Sequence, residues 1–292
     1  MAGLGVASQA ERMLTASRTA RRSAGPAFRW LLGSWSAGVA VFLYLPLLVL
    51  VWFSFNRGPF LMRWEGFGTD AYLRALSSST MRGVLGTSLA VGALSAILAV
   101  ALGSAAGLVW ARRPGRWTRP FAFTLVLVLV APEIVLAIAE LIWFVRIGID
   151  AGLVRLVISH SVFSTAVVAL IVRSRMSNAG LALEEAAADL GAPPGRVFRD
   201  VTLPEMLPAM LAGGLLAFTF SMDDVVISSF VATAGSTTLP VFVFSSLRAG
   251  LRTEVAALAV IALVATLTAL VVTAVVLRRS GTSGTILGHS GR

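Results

Sequence analysis

NAGLALEEAAADLGAPPGRVFRDVTLPEMLP, residues 178–208, is a polar island in an otherwise very apolar chain, and it reads as two short helices meeting at a corner. Residues 181–190 are strong helix formers, Gly191 sits where a helix stops on a left-handed residue, and Pro193 forbids continuation. Pro194 suits the first position of a second helix over 196–201, which is expected to end before Leu203-Pro204. Leu190, Val197, Phe198, Val201 and Leu203 give the corner an apolar side, while Glu184, Glu185, Asp189, Arg196, Arg199 and Asp200 are expected to keep it wet. An ordinary connecting loop has no need of such a two-sided knuckle, which is shaped to dock into a groove on another protein.

The surrounding chain is of the membrane class. Of its 292 residues 57% are hydrophobic and 13% charged, with a mean hydropathy of +0.86, which implies an all-α polytopic membrane protein. All 24 basic residues are Arg. A phosphate-binding P-loop needs a Lys after its glycines, so the chain has no Walker-type ATP site of its own. It has no Cys and two His, which excludes thiol catalysis and disulfides and leaves a metal site poorly supplied. The adjacent pair His160 and Ser161 is the one candidate for hydrolytic chemistry, and neighbours on a helix point apart.

Six apolar segments follow a basic tail over residues 1–33. The expected spans are 35–55, 84–109, 121–145, 153–172, 208–229 and 255–277, and residues 278–292 form a Gly/Ser tail expected to be disordered. The first apolar run is too long for a secretory signal, so a retained span is expected. Pro46 marks a kink within it, and Gly103 to Gly107 in the second span is a small-residue packing stripe. Counted by segment, 16 Arg lie on the side of the termini and 8 on the other, which places both termini and the knuckle, 173–207, in the cytoplasm.

Four acids fall inside these spans. A central Asp costs about 2.5 to 3.5 kcal/mol on insertion scales, so such a residue implies a water-filled path or a partner. Glu133 lies about 18 Å from the inner start of its helix and Asp223 about 22 Å from the start of the fifth, so both belong to the outer half of the membrane. Pro132 bends the helix beside Glu133 and lets that acid line a cavity. Asp223 and Asp224 are about 100° apart on a helix, which lets one face a lumen while the other bonds a neighbour. Together Glu133, Asp223 and Asp224 form a candidate path for a positively charged solute; pairing with Arg of a partner subunit is the plainer alternative. Phe218, Phe220 and Trp143 are available for cation–π contacts. Glu140, near the outer end of its span, is expected to reach water.

The spacing Glu185-Ala186-Ala187, three residues, Gly191, nine residues, Val201-Thr202-Leu203-Pro204 resembles the EAA loop of the permease subunits of ATP-driven (ABC) importers, with Val201 where that family usually has Ile. The segments 131–138, 221–230 and 238–250 look like the second permease of the spermidine/putrescine importers, the putrescine branch more than the other. This resemblance implies a type I importer permease fold in the bacterial inner membrane. It also implies a second homologous permease, two copies of an ATPase that binds ATP and Mg, and a periplasmic substrate-binding protein. On that reading Glu185, Ala186, Ala187, Gly191, Val201, Leu203 and Pro204 couple to the ATPase, and Glu133, Asp223 and Asp224 stand at matching positions on the solute path. The chain itself then carries no cofactor, metal or catalytic residue, and its contacts are with lipid and protein, not nucleic acid. Another cationic solute, iron, or an ATP-independent organic-cation transporter are the competing readings.

Overall fold

The computed structural model describes residues 26–113, 115–116, 118–179 and 181–282. Arg12, Arg18, Arg21 and Arg22 of the basic tail, and the Gly/Ser tail beyond residue 282, lie outside the described residues. By packing, the chain divides into residues 1–52 and 53–292. The first unit is represented by helix α1 (Pro26–Phe53), which stays helical through Pro46 and exposes Trp35, Phe42 and Leu48.

In the second unit, a short helix α2 (Asp70–Ser77) precedes the 34-residue α3 (Ser79–Arg112), whose N-terminus is capped by Ser78 accepting from the Met81 amide at 3.4 Å. α2 is also fastened to the start of the last helix, α12 (Thr253–Thr282). There the buried Glu254 carboxylate accepts from Arg74 Nε at 2.8 Å and pairs with Arg252 Nε at 2.9 Å. The connecting segment is organised by a fully buried Asn56, whose amide donates to the carbonyls of Phe60 and Arg63 and whose Oδ1 accepts from the amides of Gly58 and Glu65.

The core is built by α3, α6 (Gly152–Asn178) and α9 (Leu203–Asp223), with Ala99, Val168, Val172, Met206, Ala209 and Ala217 at its centre. The small-residue stripe of α3 is what lets two helices touch. A β-carbon at Gly107 would stand 2.5 Å from the Ala169 carbonyl oxygen, and one at Gly103 would stand 2.7 Å from Val168 Cβ.

The expected third span is not one helix. α4 (Thr118–Val130) and α5 (Glu133–Ile147) meet at 110° across Ala131-Pro132. Pro132 has no amide hydrogen to continue the ladder and forces Ala131 out of the helical region, so the chain restarts with Pro132 as the N-cap. At 13 and 15 residues the two pieces are about 20 and 22 Å long, each too short alone for a hydrocarbon core of about 30 Å. Among the described residues, five helices are long and apolar enough to cross a membrane, or six if the bent pair is one span.

Two further boundaries differ from those expected. The second arm of the knuckle does not stop before Leu203-Pro204: α8 (Pro194–Val197) runs through a π-helical turn (Phe198–Thr202) directly into α9. A proline clashes with the carbonyl four residues back, and the wider turn just ahead of Pro204 takes up that misfit. At its other end α9 breaks at Asp224, short of Ser229, and the chain resumes as α10 (Val226–Val231) and α11 (Leu239–Ala249), separated by a turn with Gly235 at φ +85°.

Candidate functional site

Glu133, Asp223 and Asp224 come from two different stretches of chain and line one cavity of about 430 Å³. Each sits at a discontinuity. Glu133 is the first residue of α5, where its carboxylate is placed favourably against the helix N-terminus. Asp223 is the last residue of α9, and Asp224 lies in the break that follows. Leu136, Phe163, Phe220 and Val226 give the cavity its apolar wall.

The two adjacent aspartates have different surroundings. Asp224 is largely buried and accepts from the amides of Ile227 at 3.2 Å and Ser228 at 2.8 Å, so it caps α10. Its Oδ2 also lies 3.1 Å from His160 Nε2. Asp223 and Glu133 are exposed at the cavity. The separation of roles comes from the break in the helix, which the expectation of two positions on one continuous helix did not include.

His160, a candidate in the sequence only for hydrolytic chemistry with Ser161, has a structural place at the cavity. It is buried on α6, bonded through Nδ1 to Ser221 Oγ at 2.6 Å and through Nε2 to Ser228 Oγ at 3.1 Å, and it joins α6, α9 and α10 at the wall of the cavity. Ser161 turns away and donates to the carbonyl of Val157 on its own helix. Of the three aromatics, Phe220 lines the cavity and meets Phe163 edge to face at 5.6 Å. Phe218 packs into the core, and Trp143 is exposed elsewhere. Glu140, expected to reach water, is half-buried, with its Oε2 sealed from solvent.

At the other end of the α8 to α9 run stands the knuckle. α7 (Ala182–Asp189) closes on Gly191 at φ +82°, with the Gly191 amide donating to Ala188 and the Ala192 amide to Ala187, the double bond of a Schellman motif. Glu185, Ala186, Gly191 and Pro204 are exposed, and Ala187, Val201 and Leu203 are half-buried. Glu184 is not on the wet side as expected. It is partly buried, with Oε1 2.6 Å from Arg112 Nη2 and 3.0 Å from Thr202 Oγ1. Leu190, assigned to the apolar face, is 89% exposed.

A bundle of apolar helices with an acidic cavity and an outward-turned knuckle defines a transport subunit, and similarity to known proteins agrees. Residues 102–280 match the family described as binding-protein-dependent transport system inner membrane component, and the chain belongs to that family of ABC importer permeases. It is a transport subunit and not an enzyme. It is 41% identical over 230 residues to the putrescine transport system permease protein PotI of Escherichia coli K12, covering 76% of this chain and 82% of the relative. It is 35% identical over 256 residues to the spermidine/putrescine transport system permease protein PotC of the same strain, covering 88% and 97%. Among solved structures it resembles a bacterial ABC transporter of the acidic polysaccharide alginate, with a TM-score of 0.65 at 14% identity over 88% of this chain and 98% of the other. It also resembles the MetNI methionine ABC transporter in inward-facing form, with a TM-score of 0.58 at 19% identity over 70% and 99%. The fold is that of a type I ABC importer permease.

Proposed function

We propose that this subunit moves a polyamine, putrescine or spermidine, across the bacterial inner membrane by alternating access, driven by a separate ATPase dimer that binds ATP and Mg. The observation that carries this reading is the continuity of residues 194–223. Thirty residues of continuous helix, one π-helical turn included and about 45 Å long, join the knuckle at one end to Asp223 in the acidic cavity at the other. A push on Gly191 and its neighbours reaches the solute path through one stiff element, with Glu185, Ala186, Ala187, Val201, Leu203 and Pro204 forming the grip.

The cargo assignment is supported by the relatives' names together with the two exposed carboxylates, Glu133 and Asp223, which suit an ammonium, and by Phe220 beside them. Asp224 holds the cavity's shape. A sister permease supplies the opposite wall of the path, and a periplasmic binding protein delivers the solute. Both termini and the knuckle face the cytoplasm, in keeping with the excess of Arg on that side. ATP closes the ATPase dimer, the knuckle moves with it, and the α8 to α9 rod tilts to open the path outward; hydrolysis reverses the tilt.

The test is uptake of labelled putrescine and spermidine by the reconstituted complex with Glu133→Gln and Asp223→Asn. A rise in KM of about tenfold or more is expected for each neutralised acid. Unchanged kinetics in both variants would remove the cavity from the path.

A further inference from the structure

A serine or threonine hydroxyl inside a helix commonly bonds back to the carbonyl one turn earlier. This chain does so repeatedly: Ser161 to Val157, Thr219 to Leu215, Ser229 to Val225, Thr266 to Ala262 and Thr268 to Val264. Ser164 of α6 does not. It is 1% exposed and lines the cavity, and its hydroxyl makes no hydrogen bond among the described residues. An unpaired hydroxyl in a packed wall is destabilising, and a donor arriving in the cavity relieves it.

The place of Ser164 relative to the acids is set by α6. Ser164 lies one turn beyond His160, on the same face and about 6 Å nearer the knuckle end of the helix. His160 Nε2 is 3.1 Å from the Asp224 carboxylate, and Glu133 lies beside Asp224 at the cavity. The carboxylates therefore stand at one end and the Ser164 hydroxyl at the other. Phe163 immediately precedes Ser164, Phe220 lies one turn before Asp223, and the two rings meet edge to face at 5.6 Å, an apolar stretch that joins the two ends. We infer that Ser164 is a solute-binding residue, whose hydroxyl oxygen accepts an N–H from the second ammonium of a diamine whose first ammonium is held by Glu133 and Asp223. At about 1.25 Å of advance per bond, a four-carbon diamine spans about 6 Å between its nitrogens, which matches the one-turn offset. A neutral hydroxyl holds an ammonium less strongly than a carboxylate does. The weakly held end of the solute is then the one nearer the knuckle, the end that leaves first when the path opens on that side.

This inference rests on the polyamine reading of the cavity, and the experiment separates the two. The assembled complex of both permeases and the ATPase is placed in nanodiscs without the binding protein, whose own selectivity then does not enter. Binding of labelled putrescine, and its displacement by butylamine, which has the same four carbons and a single ammonium, are measured for the natural complex, Ser164→Ala and Asp223→Asn. Ser164→Ala is expected to weaken putrescine by about three- to tenfold and to leave butylamine within about twofold. The thermal midpoint of the empty complex should be unchanged or higher, because an unpaired hydroxyl has been removed. Equal weakening of the two amines, no weakening of either, or a lowered midpoint overturns the role of Ser164. Asp223→Asn weakens both amines whatever Ser164 does. If it leaves both unchanged, or if the natural complex binds neither amine, the cargo reading falls and Ser164 with it.

Discussion

Arg112 and Glu184, 72 residues apart in the chain, meet at 2.6 Å, and the Glu184 oxygen that accepts from Arg112 also accepts from Thr202 at 3.0 Å. One carboxylate therefore ties α7 to the end of α3 and to the π turn within the α8 to α9 rod. Arg112 adds a bond from Nη1 to the Met176 carbonyl at 3.0 Å, which brings in the end of α6. Both side chains are less than one-fifth exposed, so this pair is sheltered from solvent screening. The knuckle is thereby fixed to the bundle on its inner side and left free on its outer side.

A double-mutant cycle of Arg112→Ala and Glu184→Ala, read as thermal unfolding of the assembled complex, is expected to give a coupling of about 1 to 3 kcal/mol. The same variants should weaken the link between ATP hydrolysis and uptake. Additive single effects would show that the pair contributes nothing to holding the knuckle.

Gly191 has φ +82° and open space around its α-carbon, so a substitution there acts through the backbone alone. A residue with a β-carbon loses about 1 to 2 kcal/mol in that conformation, most for a β-branched one and least for Asn. Gly191→Val should therefore insert normally yet lose ATPase stimulation by the loaded binding protein, and Gly191→Asn should keep most of it. The ratio of uptake to ATP hydrolysed is the measurement.

Two glycines on α3 give a matched pair. Gly107 abuts the Ala169 carbonyl, whereas Gly86 has nothing within 4 Å. Gly107→Ala should destabilise by about 1 to 3 kcal/mol through forced separation of α3 and α6. Gly86→Ala should be neutral or stabilising by up to about 1 kcal/mol from helix propensity. Thermal midpoints of the purified complex distinguish them.

The neighbouring aspartates should separate in the same assay. Asp224→Ala removes the cap of α10 and leaves His160 without its carboxylate, a loss of about 2 to 3 kcal/mol. Asp223→Asn, at an exposed position, should move stability by no more than about 0.5 kcal/mol while altering uptake.

The knuckle was largely legible in the sequence because its signals are local: Gly191 for the left-handed stop, and Pro193 and Pro194 for the turn and restart. What escaped was set by distance. Nothing near Glu184 announces that its partner is Arg112, so Glu184 read as a solvated acid and Glu185 drew the attention. Pro132 predicted a bend, but a missing amide does not fix its size; the 110° angle comes from how α4 and α5 pack. At Asp224 an unbroken apolar pattern through Ser229 hid the end of the fifth helix. A signal was present, since an Asp within two residues of a helix start is well placed to accept from its first amides, as Asp224 does from Ile227 and Ser228. His160 had no sequence neighbour to give it meaning, because Ser221 and Ser228 reach it from 61 and 68 residues away.

The outer side of the knuckle is expected to dock on the ATPase. The chain has no Cys, and Leu190 is 89% exposed beside Gly191, so Leu190→Cys gives a single addressable thiol. A thiol-reactive photocrosslinker placed there in the assembled transporter is predicted to capture the ATPase subunit, with a yield that changes when ATP is bound. Capture of no ATPase, or labelling of this thiol by a membrane-impermeant reagent from the outside of intact cells, would contradict it.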